Sequence, residues 1–219
     1  MDIKVVLQFL EKLEENNNRE WFLDHKSEYE NVKKQISVLT EELLRYLKTI
    51  DANLVHLEPK DCTYRIYRDV RFSKDKSPYK NHIGLFFAKG GKSSFGPGYY
   101  VHFQKGESFV GGGVYVPDAE KLKAIRQEIY YNIEDFLSII NKESFRKYYD
   151  GIYDYGKLKK APMGFDADFE YIDILKNKSF VVSSPLEVDG KSSDEVVDYT
   201  KGAFLELKPF VNFMYHINE

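Results

Sequence analysis

Apolar residues recur every three or four positions through the first fifty residues, which predicts a helical N-terminal layer over 1–52. The first stretch carries them at Ile3, Val6, Leu7, Leu10 and Leu13. The second runs over 29–50 without a proline or a glycine. Three asparagines at 16–18 separate the two stretches, and asparagine is a residue that ends one helix and caps the next.

Beyond residue 60 the period of the pattern changes to two. Polar and apolar residues alternate over 64–72, 82–88 and 99–104, and 108–116 is rich in β-branched and aromatic residues. Glycine and proline mark the short connections between these segments. Because parallel neighbours need long crossovers, the pattern predicts an antiparallel β-meander over 60–116.

The C-terminal part, 118–219, reads as helical and irregular, with one further strand near residue 180. Asp118 is the expected cap of the central helix, and the Ser192 to Glu195 capping box opens the last helix. Pro209 is expected to kink that helix or end it early. We therefore predict a single α+β domain over 1–219, with the antiparallel sheet packed against N-terminal, central and C-terminal helices.

Composition narrows the class of protein. The 219 residues are 42% apolar, enough for a full core, and the net charge of −3 argues against a generally basic nucleic-acid binder. A single cysteine, Cys62, excludes an internal disulfide. The N-terminus has neither signal-peptide nor transit-peptide character, and no apolar run approaches a membrane span. We expect a cytoplasmic protein that does not enter a membrane.

Positive charge is concentrated in one segment. Residues 60–80 hold seven cations and three anions, a net charge of +4, so the remaining residues together carry −7. If 64–72 is a regular strand, Arg65, Tyr67, Asp69 and Arg71 share one face, and Arg68 lies on the other. The overall acidity of the chain does not explain this local excess of cations, which makes the segment a candidate site.

The same alternation places His82 on one strand face, and Tyr100 and His102 together on another. Stacked in one sheet, these residues would form a polar surface suited to an anion, since arginine forks match carboxylate and phosphate geometry. The candidate ligand-binding residues are Arg65, Arg68, Arg71, Lys74, Lys76, Lys80, His82 and Tyr100. Asp69 and His102 form the candidate proton-transfer pair.

A structural interpretation stands beside the functional one. Alternating arginine and aspartate on a strand is also typical of a solvated surface whose charges pair across the sheet. The glycines at 111–113 would let a ligand approach the backbone, but they equally favour a bulge. The pattern leaves these alternatives open.

Motifs for other chemistries are missing from the sequence. No pair of histidines has metal-ligand spacing, no serine lies in a nucleophile elbow, and the Gly-Lys-Ser at 91–93 lacks the upstream glycine of a phosphate-binding loop. We therefore predict no metal and no cofactor. Whether the candidate site is catalytic stays open.

Several segments together resemble a known family. They are 17–22 (NNREWF), 65–80 (RIYRDVRFSKDKSPYK), 97–102 (PGYYVH), 111–113 (GGG) and 161–165 (APMGF). In this pattern the chain resembles, over nearly its whole length, the domain of unknown function 2461 family of bacterial and fungal proteins. The resemblance implies a shared fold and assigns no activity, cofactor or catalytic residue. Where the family has Asp-His-Pro after Asp168, this chain has Phe169 and Glu170, so a histidine there cannot be an obligatory catalyst.

Three classes of function remain, in order of preference. The first is a site for a small anionic or phosphoryl ligand, with Arg65 and Arg71 as the clamp. The second is nucleic-acid binding, which the −7 carried by the rest of the chain opposes. The third is a protein-interaction module without catalysis, which no segment localises. The sequence sets no oligomeric state.

Overall fold

The strands of the protein form one four-stranded sheet. They are β1 Ile83–Ala88, β2 Gly98–Phe103, β3 Phe109–Val114 and β4 Phe180–Pro185. Neighbours pair antiparallel in the order β1-β2-β3-β4.

The structure, a computed structural model, describes residues 1–215, and residues 216–219 of the predicted C-terminal part lie outside it. The predicted α+β class and the strand near residue 180 are confirmed.

Helices precede, interrupt and follow the sheet. Their bounds are α1 Ile3–Glu15, α2 Arg19–Asp24, α3 Lys26–Ile50, α4 Pro59–Cys62, α5 Ala119–Tyr131, α6 Ile133–Ile140, α7 Glu143–Arg146, α8 Ile172–Leu175 and α9 Ser193–Tyr215. Short 3₁₀ turns occupy Ala52–Leu54 and Gly91–Ser93. Within residues 1–215, no helix combines the length and the apolar character needed to cross a membrane.

The helix boundaries follow from the caps. The Asn18 side chain accepts a hydrogen bond from the Trp21 amide at 2.9 Å, and Asp118 accepts one from the Lys121 amide at 2.8 Å. Each bond satisfies an amide that has no partner within its helix. Helix α9 continues through Pro209 to Tyr215, so the proline does not end the helix early.

One face of the sheet is buried under helices. Leu85 and Val101 on neighbouring strands are fully buried, as are Phe87 and Tyr99 one pair further along. Helix α9 packs on β2 and β3, where Phe204 meets the Tyr99 ring edge-on at 5.3 Å. We call this the inner face. The core therefore lies between the sheet and the helices. The opposite face, which we call the outer face, carries the partly exposed side chains of Phe86, Tyr100 and His102.

The first predicted strand, 64–72, is not a strand. Only isolated pairs, Thr63 with Leu85 and Tyr67 with Tyr79, connect this segment to its neighbours. The Asp69 side chain accepts a hydrogen bond from the Arg71 amide at 3.2 Å, so the side chain replaces the partner that a ladder would supply. The alternating pattern was misleading here because its polar positions bond locally and turn the chain.

Candidate functional site

The segment 63–82, which we call the cationic loop, is attached to the N-terminal helices. The Asn17 amide donates to the Tyr79 carbonyl at 3.0 Å and its oxygen accepts from the Tyr79 amide at 3.1 Å. The Tyr79 ring stacks on Phe22 at 3.9 Å between centroids, and Tyr67 lies 5.4 Å from Tyr79. Asn17, between α1 and α2, and Phe22, within α2, thus hold the loop in place beside β1.

Two predicted ligand-binding arginines are already paired with carboxylates. Arg71 donates two hydrogen bonds to the Asp69 carboxylate, from Nη2 to Oδ2 at 2.6 Å and from Nε to Oδ1 at 3.0 Å. Arg68 pairs with Asp75, whose other oxygen accepts from the Ser77 amide at 2.9 Å. These bonds hold the pKa of Asp75 well below its usual range, the Ser77 bonds contributing most. Arg68 and Arg71 therefore hold the loop together.

The predicted Asp69–His102 proton-transfer pair does not form. Asp69 bonds to Arg71, whereas His102 bonds to Tyr100 and Gln104. Because 64–72 is not a strand, Asp69 does not share a sheet face with His102. The bond from Arg71 lowers the pKa of Asp69, which makes this carboxylate a poor base.

Two of the three loop lysines beyond Arg71, Lys74 and Lys76, are exposed. Lys76 donates to the Val70 carbonyl at 3.0 Å. Lys74 has no carboxylate within 4.0 Å among residues 1–215. Within the same part of the chain, no hydrogen bond or ion pair joins either lysine to His82 or His102. Lys74 and Lys76, both predicted to bind the ligand, are therefore not brought together with the histidines of the sheet.

Arg65 and Lys80 have a different environment. The Lys80 ammonium lies 5.4 Å from the centre of the Tyr64 ring and is half-buried. Burial lowers the pKa of Lys80, and the charge of Arg65 lowers it further. Among the residues that the structure describes, no carboxylate lies within 4.0 Å of either cation. The charge of Arg65 helps to lower the pKa of Asp69, but within residues 1–215 neither Arg65 nor Lys80 forms an ion pair.

His82 lies beside that charge. Its ring stacks on His102 with 4.6 Å between centroids, and its Nδ1 is 3.3 Å from the Asn81 side-chain oxygen. Burial lowers the pKa of His82 to about 4, with further contributions from His102, Lys80 and Arg68. His82 is therefore a neutral imidazole at neutral pH, held next to cations that oppose its protonation.

His102 belongs to a hydrogen-bonded chain with a definite direction. The Gln104 amide donates to the Glu107 carboxylate at 2.8 Å, which turns its oxygen towards His102 Nε2 at 3.0 Å. A carbonyl oxygen only accepts, so Nε2 carries the proton and Nδ1 is the acceptor. The Tyr100 hydroxyl, 3.0 Å from Nδ1, is therefore the donor. Burial lowers the pKa of His102 and raises that of Tyr100.

Aromatic rings lie along the outer face because small residues leave room for them. A Cβ atom on Gly84 would be 2.5 Å from the Tyr100 hydroxyl, and one on Gly98 would be 2.7 Å from Cε2 of Phe86. Each ring therefore covers a glycine of the neighbouring strand. Both rings are partly exposed. The two rings therefore form a flat aromatic surface close to the cations.

The glycines at 111–113 have a structural cause. A Cβ on Gly111, Gly112 or Gly113 would each be 2.2 Å from a carbonyl oxygen of an adjacent strand. Gly113 also has a φ of 113°, which disfavours any side chain. Adjacent strands, rather than a ligand, approach this backbone. The three glycines pair one to one with both neighbouring strands, so the bulge alternative is wrong as well.

The remaining chemistry of the chain is limited. Within residues 1–215, no group of three histidine, cysteine, aspartate or glutamate side chains is placed to hold a metal. Cys62 is fully buried, and burial raises its pKa to about 12. A surface cavity of about 350 Å³ beside Gln104 includes Glu187 and Asp189 in its lining, so it does not suit an anion.

The structure thus brings together part of the predicted site. Arg65, Lys80, His82, Tyr100 and His102 lie at the junction of the cationic loop with the outer face, whereas the other candidates stabilise the loop or project from it. Sequence reasoning missed Phe86, and also Phe109, which stacks on His102 at 4.8 Å. The available signal was their alternation with glycine and histidine, which places them on the outer face.

Comparisons with known proteins agree with the extent of this fold. The profile of the family described as "Conserved hypothetical protein (DUF2461)" matches residues 5–213, nearly the whole chain. No curated protein and no solved structure matches the chain. The family match covers both the cationic loop and all four strands, so the chain belongs to the DUF2461 family.

Proposed function

We propose that the protein binds a small anionic ligand, with a phosphate or carboxylate group, at Lys80, Arg65 and His82. The observation that carries the proposal is a half-buried lysine, 5.4 Å from the Tyr64 ring and close to Arg65, that has no carboxylate within 4.0 Å in the described part of the chain and lies near a neutral imidazole. A cation that already forms an ion pair with a carboxylate gains little from a ligand, whereas an unpaired cation gains a charge-assisted hydrogen bond. His82 Nδ1 already lies 3.3 Å from the Asn81 side-chain oxygen, so the two cations supply the main contacts to the anion.

The paired residues of the loop support the assignment by contrast. Arg71 and Arg68 already have carboxylates, so an anion would have to compete with those bonds. Lys80 has none within reach among residues 1–215, and its burial shields it from water. A ligand therefore gains more from contact with Lys80 than from contact with the exposed tip of the loop.

Tyr100 and His102 do not supply a general base to this site. The Tyr100 hydroxyl donates to His102 Nδ1, and Gln104 fixes the imidazole in the tautomer that accepts. Burial raises the pKa of Tyr100 and lowers that of His102, so transfer of the proton from the hydroxyl to the imidazole is unfavourable. The two residues therefore shape the site through their hydrogen bonds and take no proton from the ligand.

Inorganic phosphate tests the proposal by thermal unfolding. A ligand at ten times its Kd stabilises the native state by about 1.4 kcal/mol, which raises the Tm of a protein of this size by about 3–6 °C. We expect that rise in the wild type and none in K80M. Removing a half-buried cation without a partner should leave the ligand-free Tm unchanged or raise it.

K74M is the matched control, because it removes the same charge from the exposed part of the loop. It should keep the response to phosphate. Sodium chloride at equal ionic strength controls for screening. The proposal fails if phosphate does not raise the wild-type Tm above the chloride value, or if K74M loses as much of the response as K80M.

A further inference from the structure

We infer that the ligand is a nucleoside phosphate, whose phosphate contacts Lys80 and Arg65 and whose base stacks on the aromatic surface of Phe86, Tyr100 and Tyr64. The inference rests on the proposed function and adds the class of ligand. Anion binding alone does not explain the flat aromatic rings of the outer face, whereas a base that stacks on them does.

The rings are spread along the sheet. Phe86 and Tyr100 are cross-strand partners on β1 and β2, so their side chains project from the same face. Each covers the place where a Cβ would stand on a neighbouring glycine, Phe86 over Gly98 and Tyr100 over Gly84. Their partly exposed rings provide the kind of surface on which planar groups stack.

Tyr64 connects this surface to the cations. Its amide donates to the Gly84 carbonyl at 3.3 Å, and the preceding residue pairs with Leu85, so Tyr64 lies opposite Gly84 on the outer face. The Lys80 ammonium is 5.4 Å from the centre of its ring. Positive charge and aromatic surface therefore lie side by side, which suits a ligand whose phosphate and base are joined through a single ribose.

The charge distribution favours a short ligand over a long strand. Outside 60–80 the chain carries −7, which repels a polyanion beyond the site. Within the segment, Lys60, Arg68 and Arg71 are paired with Glu58, Asp75 and Asp69. Four cations of the segment remain, Arg65, Lys74, Lys76 and Lys80, but Lys74 and Lys76 project from the exposed part of the loop. Only Arg65 and Lys80 are left to meet phosphate at the aromatic surface, so the occupant is a mononucleotide.

Calorimetric titration with four probes tests the inference at about 150 mM salt. The probes are inorganic phosphate, ribose 5-phosphate, AMP and a twelve-nucleotide oligothymidylate. We expect AMP to bind at least about tenfold more tightly than ribose 5-phosphate, because only AMP carries a base that can stack. The oligonucleotide should bind no more tightly than AMP.

The outcomes separate the inference from the proposed function. If AMP and ribose 5-phosphate bind equally, the base is not recognised and the inference fails, while anion binding stands. If the oligonucleotide binds tenfold more tightly than AMP, the site takes a strand and the mononucleotide inference fails. If neither phosphate nor any phosphate ester binds, the proposed function fails with it.

Variants of the aromatic surface give a second test. F86L keeps apolar bulk but removes the flat ring, and it should cancel the advantage of AMP over ribose 5-phosphate while leaving phosphate binding unchanged. Y64L makes the same test at a more exposed position if F86L does not fold. Y131L, which removes an exposed ring on α5, should keep the wild-type advantage. An equal loss in Y131L overturns the inference.

Discussion

At the scale of single residues, His82 couples the site to pH. Burial and the positive charges of Lys80 and Arg68, together with His102, lower its pKa to about 4, whereas an unfolded histidine titrates near 6.5. Between these values the unfolded chain binds the extra proton and the native protein does not. This histidine therefore contributes full stability above about pH 6.5 and loses it as the pH falls towards 4.

This gives a prediction for H82Q, which cannot take up that proton. The free energy of unfolding of the wild type should fall between pH 6.5 and 4.5 by more than that of H82Q, with a difference of about 1 kcal/mol after allowance for solvent screening. Urea unfolding at pH 7.5, 6.5, 5.5 and 4.5 measures it. Parallel pH profiles for the two proteins would show that His82 is not held neutral.

At the scale of elements, a side chain of the α1–α2 connection holds the cationic loop. Asn17 bonds to both the amide and the carbonyl of Tyr79, as a neighbouring strand would. At the other end of the loop, Thr63 pairs with β1. The position of Lys80, one residue beyond Tyr79, therefore depends on a contact with a helix connection more than sixty residues earlier in the chain.

We predict that N17A is destabilised by about 2 kcal/mol, because two part-buried backbone groups of Tyr79 lose their partners. It should also weaken phosphate binding, since Lys80 follows Tyr79. N16A is the comparison, because Asn16 makes one exposed bond to the Lys12 carbonyl, and it should cost about 0.5 kcal/mol or less. Urea unfolding of the two variants decides, and equal losses would contradict the assigned role of Asn17.

The strands show which parts of the fold a pattern of polar and apolar residues predicts and which it does not. Strands β1 and β2 were predictable because their residues alternate along a continuous ladder, and β3 because β-branched and aromatic residues favour a strand, although nearly all of its residues are buried. The segment 64–72 alternates as well, but Asp69 bonds to Arg71 locally, and no periodicity distinguishes a local bond from a cross-strand one. His82, Tyr100 and His102 were found by their polarity on strand faces. Phe86 was missed because an aromatic strand residue is more commonly part of the core.

At the scale of the whole molecule, α9 joins the parts of the fold. It packs on β2 and β3, and it also contacts α3, α6 and α7. Its residues Phe204, Leu207 and Phe210 are fully buried. A helix shared by the N-terminal layer, the sheet and the C-terminal helices leaves little scope for one part to unfold without the others.

We therefore predict that the chain unfolds as one cooperative unit, in agreement with the single domain expected from the sequence. The calorimetric enthalpy of unfolding should equal the van't Hoff enthalpy within error. Differential scanning calorimetry of the full chain makes the comparison. A calorimetric enthalpy clearly above the van't Hoff value, or two resolved transitions, would divide the chain into separate domains.

The glycines at 111–113 bear on how relatives of this protein should be compared. Each stands where a carbonyl of the adjacent strand leaves no room for even a methyl group. Any alanine there would force the strands apart, so selection for folding alone would keep the triplet unchanged, in relatives that bind a nucleotide and in relatives that bind nothing. Variation at Lys80, Arg65 and Phe86, which the fold does not constrain in this way, is the better record of whether a relative keeps the proposed ligand site.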